Sequence, residues 1–320
     1  MRFIVAIAIA AAGVFALPHA IAQPPPKFNH PLGDFVTVNS IKLWYETEGK
    51  GEPLLLIAGG PGLSHSYFHP FFSALADSYQ LIYLDAYGSG RSDRAKPSVP
   101  YSMESDVENI EALRIALKLG KINVLGHSYG GFVAQLYAFK YPNSVRRLIL
   151  ANTLPSGRDY QKALNDHNRD VQNEYPEIWA NVARLRAAGK KANSKEVQDA
   201  FAVPGTLHNF YNPDNAGQLP RTEPDLYNPE PWYAIAGDDA DFVVKGELSR
   251  FNVRPRLKHL AMPVLVLAGR FDRNVPPRLT QSYKRLIPTG QFEMFEKSGH
   301  FTFVEEAEKT FSVIRRFLAK

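Results

Sequence analysis

The chain has 320 residues, of which 45% are hydrophobic and 22% are charged, and its formal net charge is +5 at pH 7. These values are ordinary for a globular protein, and an aromatic content of 12% excludes a mainly disordered chain. The sequence contains no cysteine, which excludes disulfides, cysteine-based zinc or iron–sulfur sites and a cysteine nucleophile.

The N-terminal segment 1–22 has the pattern of a secretory signal peptide. Arg2 supplies a positive charge, the run from Phe3 to Leu17 is almost wholly apolar, and an A-x-A cleavage site ends at Ala22. A membrane anchor is the alternative, but the apolar run is shorter than the roughly 18 residues that a span needs. We therefore expect an exported protein, periplasmic or secreted, that keeps no stable membrane anchor after removal of the signal peptide.

Residues 23–33 are rich in proline and are expected to form an extended linker. Phe35 to Val38 and Ile41 to Glu48 alternate apolar and polar residues on either side of Asn39 and Ser40, which predicts a β-hairpin. The pattern then changes to short apolar runs separated by helical patterns. This alternation predicts an α/β fold with a mostly parallel sheet flanked by helices.

The predicted organisation is a core in two pieces, 34–151 and 257–320, interrupted by a helical cap at 152–256. The cap segment is polar, helix-patterned and rich in Asn, Asp, Pro and Tyr. The core strands after the hairpin are predicted at Leu54–Ala58, Leu81–Leu84, Ile122–Leu125, Leu148–Ala151, Val264–Ala268 and Gln291–Phe295. The core helices are predicted at Tyr67–Ala76, Ser102–Leu119, Gly131–Tyr141, Pro277–Leu286 and Glu305–Leu318.

A G-x-S-x-G motif occupies residues 126–130, between a predicted strand and a predicted helix. Glycines permit the tight strand-to-helix turn that presents a serine hydroxyl above the edge of a sheet. Because a serine hydroxyl is a weak nucleophile without help, it needs a base and an acid that orients the base. The sequence therefore predicts Ser128 as the nucleophile of a hydrolase.

The acid and the base should follow later predicted strands, in the order serine, acid, histidine. Asp272 comes just after the strand Val264–Ala268, and His300 follows the strand Gln291–Phe295. The rival position for the acid, after Leu148–Ala151, offers only Asn152 and Thr153. The predicted catalytic residues are therefore Ser128, Asp272 and His300.

The oxyanion of the tetrahedral intermediate needs backbone N–H donors. One is predicted at Tyr129, directly after the nucleophile, and the other at Gly60 in the glycine-rich loop that follows the strand Leu54–Ala58. His65 and His69 have the i, i+4 spacing of a metal-binding pair, but the sequence shows no third ligand beside them. We therefore predict neither a metal nor another cofactor.

Three sequence stretches resemble the proline iminopeptidase branch of the α/β-hydrolases, and the resemblance extends over 34–318. Residues 59–62 (GGPG) are similar to the H-G-G-P-G of that branch, and residues 85–92 (DAYGSGRS) are similar to its D-Q-x-G-x-G-R-S. The stretch 232–272 resembles its last cap helix and the strand that leads to the acid. The resemblance implies removal of an N-terminal residue from peptides or small amides, with the same five catalytic and oxyanion residues.

The resemblance also implies that acidic residues hold the free ammonium of the substrate. Asp241, which precedes Phe242, stands at the acidic cap position, whereas Arg273 replaces the acidic residue expected after the catalytic aspartate. Arg273 has three possible roles: to turn outward, to pair with Asp241 or to bind a substrate carboxylate. We include Asp241, Phe242, Arg273 and the cap aromatic Trp232 as candidate substrate-binding residues.

We conclude from the sequence that the chain is a serine hydrolase that cleaves small amides or peptides through an acyl-enzyme. An esterase or lactonase of small acyl esters is the first alternative, and a non-catalytic ligand-binding protein on the same scaffold is the second. The expected partner is a small-molecule or short-peptide substrate. Basic and acidic residues alternate along the chain without an aromatic-interleaved basic stripe, so nucleic acid is not an expected partner.

Overall fold

The computed structural model describes residues 30–96, 98–219 and 227–320. The predicted signal peptide and most of the linker predicted at 23–33 lie outside the described residues. No helix in the described ranges is both long and apolar enough to cross a bilayer.

One eight-stranded sheet forms the centre of the described structure, with the strand order β1-β2-β4-β3-β5-β6-β7-β8. The strands are β1 (Gly33–Val38), β2 (Ile41–Glu48), β3 (Glu52–Ile57), β4 (Tyr79–Leu84), β5 (Ile122–His127), β6 (Val145–Ala151), β7 (Val264–Gly269) and β8 (Gln291–Phe295). The hairpin β1–β2 is antiparallel and pairs antiparallel with β4, whereas all pairs from β4 to β8 are parallel. The predicted fold class is confirmed.

Every predicted strand is present, but several begin earlier than the apolar run that predicts them. β3 begins at Glu52, where Glu52 and Pro53 pair with Tyr79 and Gln80 of β4. β6 begins at Val145, which pairs with the start of β5. Ladder hydrogen bonds join backbone groups whatever the side chain, so pairing continues into polar residues beyond the apolar run.

The α-helices of the described residues lie on both sides of this sheet, and five of them come between β6 and β7 in the order of the chain. They are α1 (Met103–Ala116), α2 (Tyr129–Lys140), α3 (Gly157–Glu174), α4 (Pro176–Ala187), α5 (Lys195–Leu207), α6 (Glu230–Ala236), α7 (Gly246–Arg250), α8 (Pro277–Thr280), α9 (Tyr283–Leu286), α10 (Thr302–Glu305) and α11 (Ala307–Leu318). Helices α3 to α7 occupy the segment predicted as the cap, whose division from the core stays a prediction.

Two predicted helices are broken in the structure. The segment predicted at Tyr67–Ala76 forms two 3₁₀ helices, His65–Phe68 and Phe71–Leu75, on either side of Pro70. Proline has no N–H to continue a helical ladder, which accounts for the interruption. The segment predicted at Pro277–Leu286 is divided into α8 and α9, whereas the last predicted helix, Glu305–Leu318, corresponds to α11 and begins two residues later than predicted.

Alternate residues of the central strands enter two separate buried clusters. In β3, Leu55 and Ile57 belong to one cluster while Leu54 and Leu56 belong to the other. Successive side chains of a strand point to opposite faces, so both faces of the sheet are covered. Because β3, β5, β6, β7 and β8 are parallel, their carboxyl ends meet at one edge of the sheet, where the loops that follow them lie together.

Candidate active site

Ser128 lies in a tight turn between β5 and α2, with φ of 54° and ψ of −121°. This positive φ is unfavourable for a residue with a side chain and is held by the surrounding packing. A Cβ atom on Gly126 would lie 2.3 Å from the carbonyl oxygen of Gly130, and one on Gly130 would lie 2.2 Å from that of Ile57. Both glycines of the motif are therefore needed for the turn that presents Ser128 at the sheet edge.

Asp272 and His300 lie in hydrogen-bond contact, since His300 Nδ1 is 2.8 Å from Asp272 Oδ2. The other carboxylate oxygen of Asp272 accepts the backbone N–H groups of Asn274 (3.0 Å) and Val275 (2.7 Å). Asp272 and His300 are both almost fully buried. The imidazole is therefore fixed at Nδ1, which leaves Nε2 as its reactive atom.

Asn152 and Thr153 support this arrangement in a way that sequence reasoning missed. The amide of Asn152 donates to Asp272 Oδ2 at 2.9 Å and to the carbonyl of Gly299 at 3.2 Å. The hydroxyl of Thr153 donates to the carbonyl oxygen of Ser128 at 2.7 Å. Their position directly after a core strand was the available signal, but an acid was the only role that the sequence suggested for that position.

Ser128 and His300 line one cavity of about 530 Å³ together with Gly60 and Tyr129. Among the hydrogen bonds of the described residues, none joins Ser128 to His300. In unliganded hydrolases this contact is often long and tightens when substrate binds. The structure therefore brings the predicted nucleophile and the predicted base to the same cavity, without a hydrogen bond between them.

The two predicted oxyanion donors are the backbone N–H groups of Gly60 and Tyr129, and both residues line the cavity. Gly60 has φ of +108°, and a Cβ there would lie 2.8 Å from the nitrogens of Gly62 and Leu63, so the loop requires glycine. Tyr129 is the first residue of α2, where backbone N–H groups have no partner within the helix and the helix dipole favours negative charge. Both positions can therefore donate to an anion in the cavity.

A buried chain of hydrogen bonds connects the Gly60 loop to the backbone of His300. The N–H of Gly59 donates to the hydroxyl of Tyr67 at 2.6 Å, and that hydroxyl lies 2.9 Å from His127 Nδ1. His127 Nε2 lies 2.9 Å from the carbonyl oxygen of His300. Burial, and next the charge of His300, hold the pKa of His127 well below its usual range. A neutral His127 accepts a hydrogen bond from the Tyr67 hydroxyl and donates one to the His300 carbonyl, which gives every group in this series of hydrogen bonds a partner.

Asp241 lies in the same cavity and is held by two cap aromatic residues. Trp232 Nε1 donates to Asp241 Oδ1 at 3.1 Å, and the Tyr233 hydroxyl donates to Oδ2 at 3.0 Å. Burial raises the pKa of Asp241, although these two hydrogen bonds act to lower it. Among the described residues that line the cavity, Asp241 is the only carboxylate, and none is lysine or arginine.

Arg273 and Phe242 lie outside the set of residues that line the cavity. Arg273 Nη1 is 2.7 Å from both carboxylate oxygens of Glu174 and 2.9 Å from His208 Nε2, so it turns outward. Phe242 packs instead under the guanidinium of Arg186, 3.6 Å from the ring centre. Of the four candidate substrate residues, the structure thus brings only Asp241 and Trp232 to the cavity.

Comparisons with known proteins agree with this fold. Residues 52–307 match the model of a family described as the alpha/beta hydrolase fold. Proline iminopeptidase of Heyndrickxia coagulans is 30% identical over 86% of this chain and 93% of its own length, and that of Clostridium botulinum is 32% identical over 86% and 92%. The crystal structure of proline iminopeptidase from Mycobacterium smegmatis superposes with a TM-score of 0.72 at 26% identity, over 90% of this chain and 98% of that one.

Proposed function

Because the chain belongs to the alpha/beta hydrolase fold family, in its proline iminopeptidase branch, we propose that it is a serine aminopeptidase. It removes an N-terminal residue, proline or another small residue, from short peptides and amides. The observation that carries the proposal is the lone carboxylate of Asp241 in a cavity whose described lining residues include no lysine or arginine.

The proposed mechanism begins with attack of Ser128 Oγ on the carbonyl carbon, while His300 Nε2 takes the hydroxyl proton. The N–H groups of Gly60 and Tyr129 stabilise the oxyanion. His300 then gives its proton to the leaving amine as the C–N bond breaks, which leaves an acyl-enzyme on Ser128. Water, deprotonated by His300, hydrolyses this ester and restores Ser128. Throughout, Asp272 keeps the imidazole in the correct tautomer.

Asp241 is proposed to bind the free ammonium of the substrate. An ammonium about 4 Å from a carboxylate gains about 4 kcal/mol at an effective dielectric constant of 20. The outward pairing of Arg273 with Glu174 removes the repulsion that a cation facing this ammonium would cause. The apolar faces of Phe132 and Trp232 line the same cavity and suit the ring of an N-terminal proline.

Replacing Asp241 by asparagine is expected to lower kcat/KM for prolyl and alanyl p-nitroanilides by roughly 100- to 1,000-fold, because the ammonium loses its counter-charge. The asparagine oxygen still accepts from Trp232 or Tyr233, so folding should be preserved. The matched control is Asp238→Asn, an acid on the same cap segment that pairs with Lys191 at the surface. We expect this control to keep wild-type kinetics.

The same assay distinguishes the proposal from an esterase. The wild-type protein should cleave free-amine anilides, lose that activity when the substrates are N-acetylated, and act more slowly on p-nitrophenyl acetate and butyrate. Fast ester cleavage with negligible anilide turnover, unchanged by Asp241→Asn, would contradict the aminopeptidase assignment and favour the esterase alternative.

We also propose that the protein is exported, on the pattern of residues 1–22. N-terminal sequencing of the protein recovered from the periplasm or the medium should begin at Gln23. The control is a chain that lacks residues 2–22, which should remain in the cytoplasm. Export of this shortened chain, or recovery of an exported protein that still begins at Met1, would refute the proposed cleavage.

A further inference from the structure

A cluster of three histidines and one glutamate lies outside the set of residues that line the active-site cavity. Glu46 comes from β2, His65 begins a 3₁₀ helix, His69 follows that helix and His30 precedes β1. Glu46, His65 and His69 are buried, whereas the side chain of His30 is 25% exposed. The cluster therefore has a buried interior and one side open to solvent.

The four side chains converge on a single point. Glu46 Oε2 lies 3.2 Å from His30 Nδ1, 3.2 Å from His65 Nε2 and 3.4 Å from His69 Nε2. One potential ligand atom from each residue lies within 4.8 Å of all the others. His65 Nε2 is fully buried, and among the described residues Glu46 Oε2, at 3.2 Å, is the polar atom that it faces.

We propose that His30, Glu46, His65 and His69 form a binding site for one divalent zinc ion. Zinc takes nitrogen and oxygen ligands at about 2.0–2.1 Å in tetrahedral geometry, which places neighbouring ligand atoms about 3.3 Å apart. The three distances from Glu46 Oε2 already match this spacing. The widest of the remaining separations, 4.8 Å at most, must contract by about 1.5 Å around the ion.

The groups around these four residues are arranged as in known zinc sites. His65 Nδ1 lies 2.8 Å from Asp85 Oδ1, a buried carboxylate that also accepts the backbone N–H of His65. A carboxylate on the second ring nitrogen fixes the tautomer and strengthens a histidine ligand. Glu46 Oε1 accepts from Trp44 Nε1 at 3.2 Å and lies 3.4 Å from Arg91, which leaves Oε2 directed at the histidines.

Charge also favours a dication at this point. Glu46 and Asp85 are buried carboxylates, and the partly exposed Arg91, 3.4 Å from Glu46 Oε1, offsets only one of their two negative charges, so a net negative charge surrounds the ion position when the histidines are neutral. Zinc binds histidine in its neutral form, so protons compete with the metal for the ring nitrogens of these ligands.

The site is structural rather than catalytic in this proposal, because four protein ligands leave no open position for substrate. It ties the segment before β1 and the strand β2 to the 3₁₀ helix His65–Phe68. That helix contains Tyr67, whose hydroxyl accepts the N–H of Gly59 beside the predicted oxyanion donor. Zinc is therefore expected to stabilise the fold and the oxyanion loop together.

The test uses the full chain purified without a polyhistidine tag. We expect about one zinc per chain by elemental analysis, removal by a chelator, and a higher Tm when Zn²⁺ is restored. Co²⁺ added to the chelated protein should give the visible absorption of a tetrahedral site. His69→Gln and Glu46→Gln should lower zinc affinity at least tenfold, while His259→Gln, at an exposed histidine outside the cluster, should bind as the wild type does.

His30→Gln provides a second variant if the buried substitutions prevent folding, because His30 is partly exposed and comes before the first strand. It should fold, lose at least tenfold in zinc affinity and lose the Tm increase. The proposal is overturned if the chelated wild-type protein binds neither Zn²⁺ nor Co²⁺ at micromolar concentration, or if His30→Gln binds zinc as tightly as the wild type. In that case the cluster is a buried ion-pair network between histidine and carboxylate side chains, without a metal ion.

Discussion

Replacing Ser128 by alanine is expected to lower kcat/KM on prolyl p-nitroanilide by at least about 10⁴-fold. The substitution removes the only atom that forms the proposed acyl bond, and loss of a triad nucleophile in serine hydrolases leaves only the contribution of oxyanion stabilisation and binding. The backbone contacts that hold the turn, from the Ser128 N–H to Ala151 and from Thr153 to the Ser128 carbonyl, do not involve the lost hydroxyl. Circular dichroism and Tm should therefore be close to wild type.

The matched control is Ser249→Ala, which removes an exposed serine of α7 whose hydroxyl donates to the Gly246 carbonyl. This control should retain full activity. A fluorophosphonate probe should label the wild type and Ser249→Ala but not Ser128→Ala. Retention of more than a few per cent of activity in Ser128→Ala would remove Ser128 as the nucleophile. A wild-type protein that resists labelling would instead support the non-catalytic alternative.

Replacing Asp272 by asparagine is expected to lower kcat by about 10⁴-fold. In the structure Asp272 Oδ2 receives hydrogen bonds from both His300 Nδ1 and the amide of Asn152. An amide group must place its NH₂ at one of the two carboxylate oxygen positions. The Oδ1 position faces two backbone N–H groups that need an acceptor, so the NH₂ is expected at the Oδ2 position. There it opposes the Asn152 donor and forces His300 into the tautomer that protonates Nε2. A protonated Nε2 in a neutral imidazole cannot take the proton of Ser128, so the base is lost.

The variant should still fold, because an asparagine with its oxygen at the Oδ1 position keeps both backbone hydrogen bonds that are made to that oxygen. In the wild type the Asp272 carboxylate accepts the N–H groups of Asn274 and Val275. Steady-state kinetics and the rate of fluorophosphonate labelling should fall together, since both depend on deprotonation of the nucleophile. Asp238→Asn serves as the matched carboxylate control. If Asp272→Asn lost less than about tenfold in kcat, another residue would have to orient the imidazole.

Much of the fold could be predicted from the sequence because its signals are local. The buried strands are short apolar runs, and the hairpin β1–β2 is predicted from alternating apolar and polar residues on either side of Asn39 and Ser40. Ser128 lies in a motif that requires glycine at Gly126 and Gly130, because a Cβ atom at either position would collide with a backbone carbonyl. The positions of Asp272 and His300 follow from strand ends, because the carboxyl ends of parallel strands share one edge.

The orientation of charged side chains could not be predicted in the same way. The sequence left three possible roles for Arg273. Its partner in the structure, Glu174, belongs to α3 and is 99 positions away in the chain. Asn152 likewise contacts Asp272 across 120 positions. A long side chain takes the direction set by whichever opposite charge packs beside it, and that neighbour is known only once the helices have docked.

The sequence by itself therefore determined the class of sheet, the place of the serine turn and the candidate acid and base, since each depends on residues close together in the chain. Only the tertiary structure decided that Asp241 faces the cavity while Arg273 turns away. It also decided that His65 and His69 have Glu46 and His30 as neighbours, which no spacing in the sequence indicates. Pairing of β1 and β2 beside β4 brings these distant residues to the 3₁₀ helix, and burial then holds their charges together.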